Sequence, residues 1–354
     1  MQAKSQMQKT IEHGAEFWND SCDLHELEKA YNSGATGSTS NPVIVNNVLE
    51  KNKDLFYSLI KQATHAHPSS TESEISWHVI EKLAQKSAAI LEPIYHKSKG
   101  KQGKLCVQVN PVYYQSSERM VKHAIQLANI APNIAIKIPA LKHGITAIEE
   151  LTALGITINA TVSFSTAQAM ACADAVERGL KTAKKNNLNT DTVTPYITLM
   201  VGRIDDYIER CIKTNGIIID PSYAHWAGVS VFKKTYNLFQ ERNYKSKILA
   251  AAYRHHLHWS QLIGPNLVLS IPYKWWNLFN HSDIKVQETI NHPVPEDILH
   301  GLCEKVKEFN IIYNEDGLHL DSFHKNEASI HTLKQFLGGV DQMNQAVRSY
   351  LLSQ

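Results

Sequence analysis

Eight short apolar segments, separated almost throughout by longer amphipathic ones, are the feature that most restricts the fold of this chain. They lie near residues 15–20, 34–40, 104–109, 133–138, 156–161, 195–201, 247–253 and 266–271. Each has the length of a buried strand, and the intervening segments repeat apolar residues at helical spacing. Strands that alternate with helices form a parallel sheet, and eight such units close into a barrel. The sequence therefore predicts an α/β protein of the (β/α)8 TIM barrel class.

Two parts of the chain exceed a minimal barrel. Between the second and third segments, Thr71 and Glu74 have the spacing of a capping box before a long helical stripe, which predicts an inserted helical segment. From approximately residue 280 to 354 the patterns are helical, which predicts a C-terminal helical extension packed on the barrel. The run from Gly216 to Asp220 is compatible with a ninth strand or with a loop. Because there is no low-complexity linker, we expect residues 1–354 to form a single domain.

Composition restricts the partners of the protein. Its 36 basic and 34 acidic residues are mixed along the chain, which argues against nucleic acid or a membrane surface as the main partner. No apolar run approaches the length of a membrane span, and no apolar segment follows a basic start, so we expect a cytoplasmic location. The five cysteines are far apart and form no C-x-x-C pair, which disfavours a zinc-thiolate site.

Lys137 interrupts the apolar segment Asn133-Ile134-Ala135-Ile136-Lys137-Ile138-Pro139. Side chains alternate between the two faces of a strand, so the three isoleucines point one way, toward the surrounding helices, and Lys137 points into the barrel. A desolvated amine loses its proton more easily and becomes a nucleophile, as a Schiff-base lysine must. Alternatively, this lysine reaches solvent at the strand end or pairs with a carboxylate.

The same alternation places further polar residues inside the predicted barrel. Gln108 on the third strand, Asn159 and Thr161 on the fifth, and Thr198 on the sixth all face inward when their apolar neighbours face the helices. A single inward polar residue is usually a satisfied core hydrogen bond. Several that converge toward the C-terminal strand ends around one lysine indicate a functional site, because barrel enzymes place their chemistry there.

Two more candidates end the first and second strands. Asp20 follows Phe17-Trp18-Asn19, where a carboxylate can transfer protons near the lysine; its alternative role is to cap the next helix, for which Asp23 is better placed. Asn41 ends the second strand before Pro42. Its amide can hold a substrate hydroxyl, or it is a turn residue before proline.

The histidine-rich run His255-His256-Leu257-His258 raises the alternative of a metal site. It contains no H-x-x-x-H pair and no carboxylate at helical spacing, and a catalytic metal needs ligands that converge with an open position. The sequence therefore predicts neither a metal nor another cofactor.

Several motifs resemble those of the transaldolase family, and they occur in the family's order over roughly residues 15–270. They are Gly37-Ser38-Thr39-Ser40-Asn41-Pro42, Ile136-Lys137-Ile138-Pro139-Ala140 with Gly144-Ile145, Ile158-Asn159-Ala160-Thr161-Val162-Ser163-Phe164-Ser165 with Ala167-Gln168-Ala169, and Val201-Gly202-Arg203-Ile204-Asp205. Each motif alone is modestly specific, but their combination is strong.

The resemblance implies that Lys137 forms a Schiff base with a ketose phosphate and that Asp20 serves as acid and base in cleavage of the adjacent carbon–carbon bond. A dihydroxyacetone unit would remain on the lysine and pass to an aldose phosphate, a reaction of the pentose phosphate pathway type. The resemblance assigns the remaining roles as well: hydroxyl binding to Asn41 and Asn159, a place beside the lysine to Thr161, a retained hydroxyl to Thr198, and phosphate binding to Arg203 and Arg254.

This chain departs from the family pattern at three positions. Gln108 stands where transaldolases usually have a glutamate, and an amide cannot accept the proton of a catalytic water. The related fructose 6-phosphate aldolases also have glutamine there but use a tyrosine from strand six, where this chain has Met200. Ala252 replaces the family's phosphate-binding serine. Tyr113, Tyr114 and Tyr253 are the candidates for a substitute hydroxyl.

Two alternatives to a transferase remain from the sequence. An aldolase-like lyase results if the three-carbon unit is protonated and released, and a barrel that binds sugar phosphates without turnover is the alternative from another class. In each case the partners are small sugar phosphates, and the exterior of a barrel is compatible with a homodimer.

Overall fold

The computed structural model describes residues 4–354. Its eight strands form a closed, parallel barrel in which each strand pairs with the next in sequence and the eighth pairs with the first. The strands are β1 (Glu16–Asn19), β2 (Gly37–Thr39), β3 (Lys104–Gln108), β4 (Ile134–Pro139), β5 (Ile158–Thr161), β6 (Tyr196–Leu199), β7 (Lys247–Ala250) and β8 (Leu267–Ile271). The predicted (β/α)8 TIM barrel is thus confirmed. The run from Gly216 to Asp220, left open between strand and loop, is a loop.

Fifteen α-helices accompany the barrel in residues 4–354. They are α1 (Gln6–Glu12), α2 (Leu24–Asn32), α3 (Pro42–Lys51), α4 (Lys53–Ala66), α5 (Glu72–Lys97), α6 (Ser117–Ala128), α7 (Lys142–Ala153), α8 (Thr166–Lys185), α9 (Val201–Thr214), α10 (Ala227–Glu241), α11 (Leu257–Ser260), α12 (Tyr273–Asn280), α13 (Glu296–Lys305), α14 (Lys307–Tyr313) and α15 (Glu327–Leu351). None is long and apolar enough to span a membrane.

Side chains alternate across the barrel wall as strand geometry requires. The three isoleucines of β4 belong to the core between strands and helices. Ala135 belongs instead to a separate cluster inside the barrel, together with Trp18. The Trp18 indole packs edge-on against the Tyr196 ring, with 4.6 Å between the ring centroids. Gly37 of β2 is required here, because a Cβ atom at this position would lie 2.4 Å from the Trp18 indole. The side chains of this apolar cluster fill the barrel interior below the C-terminal strand ends.

A second core lies outside the barrel and joins the inserted helices to the C-terminal helix. The capping box at Thr71 starts α5, with the Glu74 carboxylate accepting from the Thr71 backbone N–H at 2.7 Å. Buried residues of α3, α4 and α5 pack against Met343 and Val347 of α15. Helix α15 therefore connects the insertion to the C-terminal end of the chain.

Candidate functional site

A pocket of about 180 Å³ opens at the C-terminal ends of the barrel strands. Seven of the nine site residues predicted from the sequence line it: Lys137, Asp20, Asn41, Thr161, Thr198, Arg203 and Arg254. The other two, Gln108 and Asn159, are buried on β3 and β5, the strands on either side of the one that carries Lys137. In the register of the sheet Gln108 pairs with Lys137, and Lys137 pairs with Asn159. The structure thus brings all nine residues together.

Lys137 projects from β4 into the pocket and is 5 % exposed. Its amine donates one hydrogen bond, to the Ser40 carbonyl oxygen at 3.0 Å, and has no carboxylate within ion-pair distance in the part of the chain that the structure describes. Burial lowers the pKa of Lys137, and the charge of Asp20 offsets this only in part. Because the neutral amine is the nucleophilic form, the environment favours nucleophilic chemistry at this atom.

Asp20 extends from the end of β1 into the same pocket. Burial raises the pKa of its carboxyl group, although Lys137, the Thr39 hydroxyl and Arg203 act in the opposite direction. The Thr39 hydroxyl donates to Asp20 Oδ1 at 2.6 Å. Helix α2 is capped by Asp23, which accepts from the Glu26 backbone N–H at 2.9 Å, so capping does not occupy Asp20. A carboxyl group whose pKa is raised holds a proton more readily than an ordinary aspartate, which suits a group that both accepts and returns a proton.

Asn159 of β5 is held by side chains of β3 and β6. Its amide nitrogen donates to Cys106 Sγ at 3.3 Å, and its oxygen accepts from the Thr198 hydroxyl at 2.7 Å. Gln108 is different, because its Oε1 atom is buried and has no hydrogen-bond partner among residues 4–354. A buried amide oxygen without a partner costs free energy unless a bound molecule satisfies it.

The end of β5 adds a hydroxyl and a strained residue. Thr161 lines the pocket, and its buried hydroxyl has no hydrogen-bond partner in the described part of the chain. The next residue, Val162, has a φ of 55°, a left-handed conformation that is unfavourable for a β-branched residue. Strain of this kind persists where surrounding structure enforces it and is common at functional sites.

Asn41 lies where the pocket meets the start of helix α3. It is the N-cap of α3, where its side-chain oxygen accepts from the Ile44 backbone N–H at 3.0 Å, and it lines the pocket. Since the oxygen is engaged, the amide NH₂ group remains to donate to a bound hydroxyl.

Tyr253 lines the pocket as well, together with Met200 and Ala252. Its hydroxyl is buried and has no hydrogen-bond partner within the residues that the structure describes. Burial raises the pKa of Tyr253, with a smaller contribution from Asp20. Of the three tyrosines named from the sequence, Tyr253 is the one on the pocket wall. It can donate a proton in a hydrogen bond to a ligand but is a poor base.

The two arginines form the other end of the pocket. Arg203 of α9 donates to Thr332 Oγ1 at 3.0 Å and to Gln335 Oε1, both on α15. Burial and the nearby charge of Arg254 lower the pKa of Arg203 to about 10. Arg254 lines the pocket and forms an ion pair with Asp206 at 2.7 Å.

A buried carboxylate that sequence reasoning missed supports Arg254. Asp205 Oδ2 accepts from Nε2 of His255 at 2.8 Å and of His258 at 2.7 Å, and Asp205 Oδ1 accepts from the Gly228 backbone N–H at 2.7 Å. Burial alone would raise the pKa of Asp205, but these partners lower it below its usual value. The carboxylate comes from α9, far in sequence from the histidines, so spacing within the His255–His258 run gave no signal for it.

Three ligand-type atoms of Asp205, His255 and His258 lie within 4.8 Å of one another. Nδ1 of His258, however, accepts from the Arg254 backbone N–H at 3.1 Å. The proton of that neutral ring is therefore on Nε2, where it donates to Asp205, and a metal at Nε2 would have to displace it. The geometry favours a hydrogen-bond network that fixes the loop after β7.

Fold and site together define a (β/α)8 barrel whose pocket combines a buried lysine, a carboxyl group and two arginines. A family model described as Transaldolase/Fructose-6-phosphate aldolase matches residues 17–334. The chain therefore belongs to the transaldolase/fructose-6-phosphate aldolase family, as its motifs predicted.

Individual relatives are similar at modest identity. Transaldolase 2 of Streptomyces avermitilis is 28 % identical over 208 residues, covering 52 % of this chain and 56 % of the relative. Transaldolase 2 of Streptomyces coelicolor is 32 % identical over 157 residues, covering 44 % and 42 %. The transaldolase of Thiobacillus denitrificans is 28 % identical over 210 residues, covering 59 % and 58 %. The alignments thus span about half the length of these relatives.

Proposed function

We propose that this protein is a transaldolase-type transferase that moves a dihydroxyacetone unit from a ketose phosphate to an aldose phosphate. The observation that carries the proposal is the environment of Lys137: a buried amine with a lowered pKa, one backbone hydrogen bond and direct access to the pocket. Such an amine is poised to attack a carbonyl carbon. Family membership supports this chemistry over structural roles for the lysine.

The proposed reaction begins when Lys137 Nζ attacks the ketose carbonyl, and loss of water leaves a Schiff base. Asp20 then accepts the proton of the hydroxyl group two carbons from the imine carbon. The bond between this hydroxyl-bearing carbon and the carbon next to the imine breaks, and an aldose phosphate departs. The electron pair of that bond forms the double bond of an enamine, while the π pair of the protonated imine moves to nitrogen. The enamine that remains adds to the aldehyde of the acceptor, and hydrolysis releases the new ketose phosphate.

Residues in and beside the pocket hold the substrate in this scheme. The free NH₂ group of Asn41 contacts its hydroxyls, and Thr161 and Thr198 line the wall beside the lysine. Asn159 lies behind this wall, and its amide group has one N–H not used by Cys106 to offer to a hydroxyl. Arg203 and Arg254 bind the phosphate group. The natural partners are sugar phosphates, and the five unpaired cysteines fit a reducing cytoplasm.

Borohydride reduction in the presence of fructose 6-phosphate tests the proposal. We expect an adduct on Lys137, and none after Lys137→Met substitution. Lys104 and Lys233 are internal controls, because burial lowers the pKa of each to about 8 although neither lines the pocket. An adduct on these lysines, or no adduct under conditions that label an authentic transaldolase, would refute the Schiff-base site.

The second candidate is a fructose 6-phosphate aldolase-type lyase, and the partnerless amide oxygen of Gln108 is the observation that favours it. An amide at this position cannot serve as the base that glutamate provides. Release of glyceraldehyde 3-phosphate, measured with and without erythrose 4-phosphate, separates the two: a transferase needs the acceptor, and a lyase does not. We expect Gln108→Glu to increase transfer; no gain would contradict this assignment for Gln108.

A further inference from the structure

The side chain of Gln168, near the start of α8, makes hydrogen bonds to the ends of two barrel strands. It is fully buried. Its Oε1 atom accepts from the Phe164 backbone N–H at 3.0 Å and from the Ser165 hydroxyl at 3.3 Å. Its Nε2 atom donates to the carbonyl oxygens of Ala140 at 3.0 Å and of Val162 at 3.2 Å. Because a backbone N–H can only donate and a carbonyl oxygen can only accept, these partners fix the orientation of the amide group.

The two carbonyl groups lie at functionally placed strand ends. Ala140 directly follows β4, which carries Lys137, and Val162 directly follows Thr161, the last residue of β5. The Ala140 backbone N–H donates to the Thr161 carbonyl oxygen at 2.6 Å, so the two strand ends are already in contact. Gln168 adds a second link, since its Nε2 atom binds both of the carbonyl groups that come next. One amide group thus joins the strand ends that bring Lys137 and Thr161 to the pocket.

The same amide group accounts for the left-handed conformation of Val162. A φ of 55° is unfavourable for this residue and persists only where its surroundings enforce it. Gln168 holds the peptide groups on both sides of Ser163, through the Val162 carbonyl oxygen and the Phe164 N–H. The Ser163 carbonyl oxygen accepts from the Met200 backbone N–H at 3.2 Å, which ties the turn to the end of β6. The turn cannot relax to an extended conformation without breaking these bonds.

Helix α15 is the third element that Gln168 contacts. Its Nε2 atom lies 3.3 Å from the Ser329 hydroxyl oxygen. Ser329 and Thr332 are three residues apart on α15 and therefore share a face of the helix. Thr332 accepts from Arg203 at 3.0 Å. Gln168 consequently connects the strand end that carries Lys137 to the helix that holds Arg203.

We propose that Gln168 is a positioning residue of the active site, whose amide group fixes the ends of β4 and β5 and thereby the geometry of Lys137 and Thr161 during turnover. The proposal rests on the proposed function for its effect on turnover, but not for its effect on the strand ends. Gln168 does not line the pocket, so it acts through the residues that it holds. Its hydrogen-bond partners within residues 4–354 are all neutral.

The isosteric substitution Gln168→Glu tests the proposal through a pH profile. A protonated carboxyl group can donate to one of the carbonyl oxygens, as the amide does, whereas a carboxylate cannot. Burial against neutral partners raises the pKa of the new carboxyl group, so both forms are accessible near neutral pH. We expect kcat relative to the parent protein to be about 10- to 100-fold lower at pH 8 and to recover as the pH is lowered toward 6, with a smaller change in KM. Gln168→Met, which lacks any polar group at the same length, should show the loss at both pH values.

Asn133 supplies the matched control, because it directly precedes β4 at the opposite end of that strand. It is fully buried, and its Nδ2 atom donates to the carbonyl oxygens of Ala88 at 2.9 Å and Gly103 at 2.8 Å. Asn133→Asp should lower stability but leave the kcat of the folded protein, quantified by circular dichroism, at the parent value. A parent-like kcat for Gln168→Met, a pH-independent kcat ratio for Gln168→Glu, or an equal loss in the control would overturn the proposal.

Amide hydrogen exchange examines the strand ends without turnover. The Phe164 N–H should exchange faster in Gln168→Met than in Asn133→Asp, although both variants lose buried hydrogen bonds. Equal exchange in the two variants would overturn the proposal. If exchange at Phe164 is faster in Gln168→Met but borohydride traps no adduct on the parent protein, Gln168 holds the strand ends and the proposed function falls.

Discussion

Substitution of the buried Asp205 by asparagine tests how much the hydrogen-bond network that supports Arg254 contributes to stability. The two oxygens of Asp205 accept from three donors: the Gly228 backbone N–H on one, and the ring N–H groups of His255 and His258 on the other. An asparagine keeps the shape but replaces one acceptor by a donor. Whichever way its amide turns, an NH₂ group then faces an N–H group at a distance of 2.7–2.8 Å.

The ring of His255 can adapt to the new amide group, and the ring of His258 cannot. Within residues 4–354, Nδ1 of His255 is buried without a hydrogen-bond partner, so this ring can move its proton to Nδ1 and accept from the new amide. Nδ1 of His258 accepts from the Arg254 backbone N–H and cannot take the proton without losing that bond. A buried donor left without an acceptor costs about 1–3 kcal/mol, and two face each other here, so we expect Asp205→Asn to lower the free energy of unfolding by about 3 kcal/mol.

The neighbouring Asp206 provides the matched control. It carries the same substitution on the same helix, but its ion pair with Arg254 is solvent-exposed, with side-chain exposures of 36 % and 41 %. Exposed pairs contribute about 0–1 kcal/mol, so Asp206→Asn should change stability little. Urea unfolding of both variants, followed by circular dichroism at pH 7, measures the difference. Equal destabilisation of the two, or a loss below about 1 kcal/mol for Asp205→Asn, would refute the reasoning.

Two further predictions concern pH and backbone packing. Burial lowers the pKa of His123, whose Nδ1 accepts from the Asn110 backbone N–H, to about 4. The stability that this neutral ring contributes is fully present above about pH 6.5 and is lost as the pH falls toward 4, a loss of about 3 kcal/mol. His123→Asn should flatten this decline when the free energy of unfolding is measured between the two pH values. A Cβ atom on Gly202 would lie 2.0 Å from the Ala252 carbonyl oxygen, whereas one on Gly338 meets nothing within 4 Å. Thermal melts should therefore show strong destabilisation for Gly202→Ala and a gain of about 0.5–1 kcal/mol for Gly338→Ala, and similar melting temperatures for the two would contradict the contact.

Strand alternation was sufficient to predict much of the candidate site. To predict each site residue on β3 to β6, it was enough to know that its segment is a strand and which face of that strand is apolar. The local pattern of apolar residues gives both. The strand ends were less accurate: the seventh segment was predicted to reach residue 253, but β7 ends at Ala250. The reason is Ala252, whose φ of 66° breaks the extended conformation and is not encoded in an apolar pattern.

Contacts between distant segments could not be predicted in this way. Asp205 reaches the histidines after β7 across the gap between neighbouring barrel units, and Thr332 reaches Arg203 over 129 positions of sequence. These contacts depend on how α9 and α15 pack on the barrel, which a single sequence does not specify. The same applies to Tyr253, whose hydroxyl is placed by the fold after β7 rather than by strand parity.

Helix α15 gives the regions outside the barrel a connection to the pocket. At one end of the site it holds Arg203 through Thr332 and Gln335. At the other, Gly339 packs so closely on the start of α3 that a Cβ atom would lie 3.0 Å from the Val43 backbone nitrogen, two residues from Asn41. The next turns of α15 enter the second core with α4 and α5. Both ends of the pocket therefore depend on one helix whose packing is anchored outside the barrel, so the insertion and the C-terminal helices contribute to site geometry and not only to stability.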